Sequence, residues 1–145
     1  MKVKISTDST CDLPREFIER YNIGVLPLYI IRDGVSLRDG IDITAQDMYE
    51  YTEKTGKLCS TAAVTVADYT NAWTEWLRDA DAIVHVAFSS ELSASCNNAR
   101  IAAEEFGNVT VVDSLNLSTG FGQLVLDAAI MAEDGHSPEE IAAEV

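Results

Sequence analysis

The sequence has 145 residues, the size of one ordinary domain and enough to bury a substantial core. Hydrophobic residues make up 47% of the chain and charged residues 23%, as in an average globular protein. The formal charge of -14 is unusual. It argues against binding to nucleic acid or to anionic membranes, because both need a basic patch on the protein.

The sequence also argues against stable membrane insertion and against a secreted, disulfide-linked protein. No apolar run approaches the ~20 residues that cross a bilayer, and the N-terminus lacks the apolar core of a signal peptide. Cys11, Cys59 and Cys96 are an odd number and contain no C-x-x-C pair, so they suggest neither a disulfide framework nor a zinc site. We therefore expect a cytoplasmic protein with three reduced thiols.

The first third of the chain predicts two strands, a helix and a hairpin. Residues 3–6 form a short apolar strand, and a helix with an apolar stripe begins near Pro14. The β-branched run at 25–31 predicts a second strand, irregular or at a sheet edge because it contains a proline. The turn signals Asp33-Gly34 and Asp39-Gly40 then indicate a small hairpin.

The middle of the chain predicts two capped helices and a buried strand. Thr44 with Asp47, and Thr65 with Asp68, have the spacing of helix-capping pairs. The near-continuous apolar run at 82–87 is typical of a strand in a parallel sheet.

The last third predicts a helix at about 93–106, a strand at 109–112 and a long helix at 118–133. A capping box at 137–140 opens a further helix that has only a few residues before the chain ends. Strands that alternate with helices in this way indicate βαβ units. We predict a three-layer α/β/α fold with a mostly parallel sheet of about four strands.

Small hydroxyl side chains follow three of the predicted strands, at 6–10, 89–95 and 113–119. In an open parallel sheet, ligands bind beyond the carboxyl ends of the strands, so these three clusters are expected on one rim. A fourth cluster, Ser60-Thr61, precedes the helix that carries two tryptophans.

Ser93 has the strongest chemical case within these clusters. It is predicted near the N-terminus of a helix, where free N–H groups and the helix dipole favour an anion. Its hydroxyl could donate to a carboxylate or a phosphate, or it could act only as a helix N-cap. The local sequence alone leaves both interpretations open.

Several motifs resemble the DegV family, in the same order and along the whole chain. Residues 7–14 (TDSTCDLP) resemble the family's T-D-S-x-x-D-L-P, and residues 89–93 (SSELS) resemble the start of its S-S-x-L-S-G-T. Residues 111–114 (VVDS), followed by Ser118 and Gly120, are similar to its V-x-D-S segment and its glycine-containing helix.

The resemblance implies a bacterial fatty-acid-binding protein rather than an enzyme. Members of the family have two domains, bind a long-chain fatty acid between them, and present it to a separate fatty acid kinase that forms an acyl phosphate. Residues 1–145 would then be the N-terminal domain, cut before the second domain. The fatty acid would be the ligand, and no cofactor is expected.

The family's carboxylate-binding serine and threonine correspond to Ser93 and Thr61. The chain departs from the family around both: it has Thr61-Ala62-Ala63-Val64 in place of T-S-Q-P, and Ser93-Ala94-Ser95 in place of S-G-T. We predict no catalytic residues and no metal ligands. The predicted ligand-binding residues are Ser93, Thr61, Ser95, Ser9, Ser118 and Gly120.

The sequence leaves two alternative functions open. One is a phosphotransferase or hydrolase that acts on a small anionic substrate at the same rim, although His85, within a buried strand, and His136 are the only histidines. The other is a structural domain whose hydroxyls are capping devices. The aspartates at 8, 12, 39 and 42 match no metal-binding loop and are interpreted as turn formers.

Overall fold

A computed structural model describes all 145 residues as seven strands and six helices, with a short 3-10 turn at Ser9–Cys11. The strands are β1 (Val3–Asp8), β2 (Gly24–Leu26), β3 (Tyr29–Arg32), β4 (Val35–Arg38), β5 (Ser60–Ala62), β6 (Ala82–Ala87) and β7 (Val109–Asp113). The helices are α1 (Arg15–Arg20), α2 (Ala45–Thr55), α3 (Val66–Trp76), α4 (Ser95–Ala103), α5 (Ser118–Glu133) and α6 (Pro138–Glu144).

The main sheet has four parallel strands in the order β2-β1-β6-β7. All six residues of β6 are buried, as expected for a central strand that helices cover on both faces. The predicted α/β fold with a mostly parallel sheet is therefore confirmed. Because the strands are parallel, the carboxyl ends of β1, β6 and β7 lie at the same edge.

Two separate apolar cores lie on the two faces of this sheet. On one face Ile5, Val84 and Phe121 belong to a cluster built on α5 and α6, with α1 packed against it. On the other face Ile83 and Trp73 belong to a cluster built on α3 and α4. The helices thus form the two outer layers of an α/β/α arrangement.

The predicted second strand at 25–31 is wrong in one respect, because the structure divides it between two sheets. β2 is the edge strand of the main sheet, whereas β3 belongs to an antiparallel sheet of order β4-β3-β5. The division falls at Pro27, which has no N–H to donate, and at Leu28, whose N–H donates to the Ser9 hydroxyl (3.1 Å). An apolar run alone does not mark such a crossing.

The predicted hairpin is confirmed as β3 and β4. Asp33 (φ 49°) and Gly34 (φ 80°) both adopt the left-handed conformation of a type I′ turn, which suits a two-residue hairpin loop. The third strand of this small sheet, β5, is short and fully exposed, and the sequence did not predict it.

The helices largely begin where the capping signals predict. Thr44, Thr65 and Ser137 each form a complete capping box with the acidic residue three positions later. α5 has the predicted bounds, whereas α4 is shorter than the predicted 93–106 helix at both ends. The short α6 is stabilised by docking, since Ile141 is fully buried. None of the helices combines the length and apolar character needed to cross a membrane.

Candidate anion-binding site

The topology of the main sheet places a natural crevice between β1 and β6. The chain leaves β1 toward β2 on one side, and the later strands β6 and β7 lie on the other side. Such a switch in direction is where open α/β sheets bind ligands, beyond the carboxyl ends of the two strands. The crevice here is bounded by the 3-10 turn after β1 and by the 88–94 loop after β6.

Ser93 lies in this loop, two residues before α4. Its hydroxyl oxygen accepts the N–H of Ser95 (3.1 Å), and its O–H donates to the Ser95 hydroxyl (3.0 Å). The N-cap position itself is occupied by Ala94, which offers no side-chain cap. Ser93 is half-buried, so its hydroxyl is fixed near the positive end of the α4 dipole and is still partly open to solvent.

Thr61 lies in the middle of β5, opposite Ile30, and is exposed. The segment that follows it is attached at Val64 to the first turns of α4, directly after the Ser93 loop. The Val64 N–H donates to the Ser95 hydroxyl (3.2 Å), and the Asn98 side chain donates to the Val64 carbonyl (2.8 Å). The structure therefore brings the segments of Ser93 and Thr61 together, although 31 residues separate Val64 from Ser95.

Ser95 is fully buried and its hydroxyl serves the protein itself. It accepts from both Val64 and Ser93, which leaves it a support for the Ser93 hydroxyl and not a group that faces solvent. Its predicted ligand contact remains a prediction.

The hydroxyls of Ser9 and Ser118 are each held by a hydrogen bond to an aspartate. The Ser9 hydroxyl donates to Asp39 (2.7 Å), and the Ser118 hydroxyl donates to Asp12 (2.7 Å). These bonds hold the 3-10 turn against the small sheet and against the start of α5. Neither hydrogen bond reaches the Ser93 loop. The predicted ligand contacts of Ser9 and Ser118 remain predictions.

Gly120 is exposed in the first turn of α5, and a Cβ atom there would lie only 2.6 Å from the Asn116 side-chain oxygen. Because the Asn116 side chain is exposed and can move aside, packing alone does not require glycine at this position. Its predicted contact with a ligand remains a prediction.

The four aspartates that could have bound a metal each have a protein partner. Asp39 and Asp12 accept from serines, and Asp42 pairs with Arg38. Hydrogen bonds from the Arg38 side chain and backbone lower the pKa of Asp42 to about 2. No group of three potential metal ligands lies close enough to hold an ion.

A buried polar cluster that the sequence did not predict lies behind the site, on the face covered by α3. Asp8, at the end of β1, accepts the Tyr69 O–H (2.6 Å) on one oxygen and the Phe88 N–H (3.0 Å) on the other. The Ser6 hydroxyl bonds to Nδ1 of His85 (3.0 Å), while Nε2 of His85 lies 3.6 Å from Asp8. Strand register places Ser6, Asp8 and His85 on one face, and the packing of α3 on that face adds Tyr69.

His85 is completely buried within this cluster. A serine nucleophile at the rim would need a base within hydrogen-bond reach, and the imidazole of His85 instead faces Ser6 and the ring of Tyr69. His136 is exposed beside Glu140 at the start of α6. The structure offers no observation that favours the hydrolase alternative.

The surface around the rim is open and partly apolar. A cavity of 520 Å³ lies beside the 3-10 turn, and exposed Leu92 and Leu115 follow β6 and β7. Arg100, in α4, is directed to Asp113 (3.5 Å). Neither Ser93 nor Thr61 lines the cavity, whose lining mixes apolar side chains with a serine and two aspartates. The cavity is lined by Ser9, Cys11, Asp12, Leu13, Pro14, Ile18, Val25, Pro27, Asp39, Gly40 and Ile41.

The fold and the candidate site together define a class of protein: an α/β domain in which hydroxyl-bearing loops meet at the switch point of a parallel sheet. Residues 2–145 match the family model described as "uncharacterised protein, DegV family". The chain belongs to the DegV family.

The relatives are similar to this chain in both sequence and structure. A DegV domain-containing protein of Clostridium acetobutylicum is 36% identical over 99% of this chain and 52% of its own length. A solved structure described as fatty acid binding of a DegV family protein from Thermus thermophilus is 34% identical, with a TM-score of 0.91, over 99% of this chain and 52% of that one.

A stearic acid-binding protein from Eubacterium ventriosum is also similar, at 29% identity and a TM-score of 0.88, over 98% of this chain and 51% of that one. The chain thus spans about half the length of the relatives that it matches.

Proposed function

We propose that this chain binds the carboxylate of a long-chain fatty acid, with the Ser93 hydroxyl as the principal donor and Thr61 as the second. The observation that carries the proposal is the position of Ser93. Its hydroxyl is held by the first amide of α4 at the open rim, and an anion there is favoured by the helix dipole. The relatives from T. thermophilus and E. ventriosum, whose descriptions name fatty acid binding, support the chemical class of the ligand.

Binding needs only a small change in the hydrogen bonds. Without ligand, Ser93 donates to Ser95. A carboxylate at the rim would replace Ser95 as the acceptor of that proton, while the Ser95 N–H would continue to hold the Ser93 oxygen. The exposed Leu92 beside it would contact the acyl chain.

We further propose that the bound acid is presented to a fatty acid kinase in the cytoplasm, and that a second domain covers the apolar rim. Hydroxyl donors orient a carboxylate without neutralising it. One carboxylate oxygen could then attack the γ-phosphorus of ATP on the kinase, forming the acyl phosphate as the bond to ADP breaks. The exposed Ile41, Leu92 and Leu115 support a covering domain, since apolar patches of this kind mark binding surfaces.

Lipid extraction and mass spectrometry of the purified full-length gene product test the binding proposal. We expect a co-purifying long-chain acid, its loss in Ser93→Ala, and its retention in Ser90→Ala. Ser90 is a matched control because it lies in the same loop and its hydroxyl makes no hydrogen bond within the protein, its backbone N–H being held by Asp113. Equal retention by the two variants would contradict the role of Ser93, and ester hydrolysis by the protein alone would contradict the binding function.

Kinase presentation has its own test. The protein, loaded with stearate, is incubated with ATP and the purified kinase subunit, and the acyl phosphate is trapped with hydroxylamine. We expect a hydroxamate only when both proteins are present, and its formation by the kinase and free stearate at the same rate would contradict presentation.

A further inference from the structure

The buried carboxylate of Asp8 contacts both segments that form the proposed site. One oxygen accepts from Tyr69, on the helix that follows Thr61, and the other accepts from Phe88, the first residue of the Ser93 loop. Asp8 is completely buried and lies at the very end of β1, the strand adjacent to β6. It is therefore the one side chain that hydrogen-bonds to both segments from the main sheet.

The contact with Phe88 extends to Ser93 through the backbone. Ser89 follows Phe88 directly, and its carbonyl accepts the N–H of Leu92 and of Ser93, each at 3.1 Å. The loop is thus a tight turn, so a shift of the Phe88 peptide moves the Ser93 hydroxyl with it.

The contact with Tyr69 fixes the other segment. Tyr69 is fully buried in the second turn of α3, and the capping box at Thr65 joins that helix to Val64. Val64 in turn donates to Ser95. The Ser95 hydroxyl also lies beside the Tyr69 oxygen, where it acts to lower the Tyr69 pKa against the larger raising effects of burial and of Asp8.

We infer that Asp8 is a positioning residue for the anion site: its two hydrogen bonds set the separation between the Thr61 segment and the Ser93 loop. The inference rests on the proposed binding function, because it states how that site is held. The positioning role requires hydrogen bonding by the side chain at position 8 and not its negative charge. An asparagine at position 8 could accept from the Phe88 N–H with its oxygen and donate to the Tyr69 oxygen with its nitrogen.

The test compares stearate affinity of the full-length gene product in three variants. We expect Asp8→Ala to weaken stearate binding at least about tenfold, because it removes both hydrogen bonds, and Asp8→Asn to recover it to within about threefold, because the amide can replace both. Ser6→Ala is the matched control: it removes a buried hydrogen bond from the same cluster but touches neither segment, and it should keep the wild-type affinity.

Asp8→Ala with near wild-type affinity would overturn the inference. So would an asparagine variant as weak as the alanine variant, or a Ser6→Ala variant as weak as either. If Asp8→Ala does not fold, Tyr69→Phe takes its place, because it removes one of the two hydrogen bonds with little change of shape. Stearate affinity of Tyr69→Phe equal to that of Ser6→Ala would then overturn the inference.

Amide hydrogen exchange separates this inference from the binding proposal. The Phe88 amide should exchange faster in Asp8→Ala than in Ser6→Ala, and Asp8→Asn should restore its protection, whether or not stearate binds. Absence of stearate binding by the wild-type protein would defeat the proposed function. Unchanged exchange at Phe88 in Asp8→Ala would defeat the positioning role.

Discussion

The two faces of the main sheet differ in chemistry although the same strands form both. The face toward α5 and α6 is lined by apolar residues such as Ile5, Val84 and Phe121. The face toward α3 carries Ser6, Asp8 and His85 among its aromatic rings. Alternation along β1 and β6 sends one set of side chains to each face.

The two faces contribute differently to the stability of the fold and to the geometry of the rim. Apolar burial is non-directional, so the α5 face can stabilise the fold without fixing any atom at the rim. Buried hydrogen bonds add less to stability but are directional, and an unpaired buried group is costly. The polar face is the one that attaches to the Ser93 loop and to the segment after Thr61.

The largest expected effect is on the apolar face. Phe121→Ala should lower the free energy of unfolding by about 3–5 kcal/mol, because it removes a fully buried ring and leaves a cavity. Urea unfolding followed by circular dichroism measures it. A loss below about 1 kcal/mol would contradict the contribution of Phe121 to the apolar core of this face.

Ser6→Ala tests the polar face and should be milder. Removing the hydroxyl leaves Nδ1 of buried His85 without a partner, which should cost about 1–2 kcal/mol of unfolding free energy. The same urea experiment measures the loss. A wild-type unfolding midpoint would show that this hydrogen bond contributes nothing.

Thr7→Val tests the apolar face by removing a polar group from it. Thr7 shares the apolar face with Ile5, and its buried hydroxyl has no hydrogen-bond partner. A valine of similar shape should leave stability unchanged or raise it by up to about 1 kcal/mol, since the desolvated hydroxyl is unpaired. Thermal unfolding checks this, and a clear destabilisation would mean that the hydroxyl is in fact satisfied.

The last effect appears only at alkaline pH, because it depends on the titration of Tyr69. Burial, and then the nearby Asp8, raise the pKa of Tyr69 above its ordinary value. Because the folded pKa lies above the unfolded value of about 10, this contribution to stability is complete below that pH and is lost as the pH rises beyond it. Urea unfolding across this range should show a shallower alkaline loss for Tyr69→Phe, and identical slopes would contradict the burial of the phenol.

Much of the fold could be predicted because its signals are local. The capping pairs at Thr44 and Thr65 and the apolar run of β6 depend on residues only a few positions apart. The crossing at Leu28 could not be predicted, because the group that receives its N–H is the hydroxyl of Ser9, 19 residues away. β5 gave no signal, since all three of its residues are exposed.

The residues of the candidate site also divide into those with a local sequence signal and those without one. The position of Ser93 could be predicted because it follows a recognisable strand and precedes a helix, whereas its contact with a ligand remains a prediction. The sequence indicates Asp8 as a turn former and as part of the motif at 7–14, but not its role, because its two partners, Tyr69 and Phe88, lie 61 and 80 residues away. A hydrogen bond between residues so far apart leaves no spacing signal in the sequence.

The crossing of the chain from one sheet to the other at Pro27 and Leu28 has a mechanical consequence. Thr61 belongs to the small antiparallel sheet, and Ser93 follows a strand of the main sheet. The separation of their hydroxyls therefore depends on how the two sheets are joined and not only on the stability of either sheet. A variant can lose affinity for an anion without a change in its melting temperature, so a screen based on thermal stability alone would miss it.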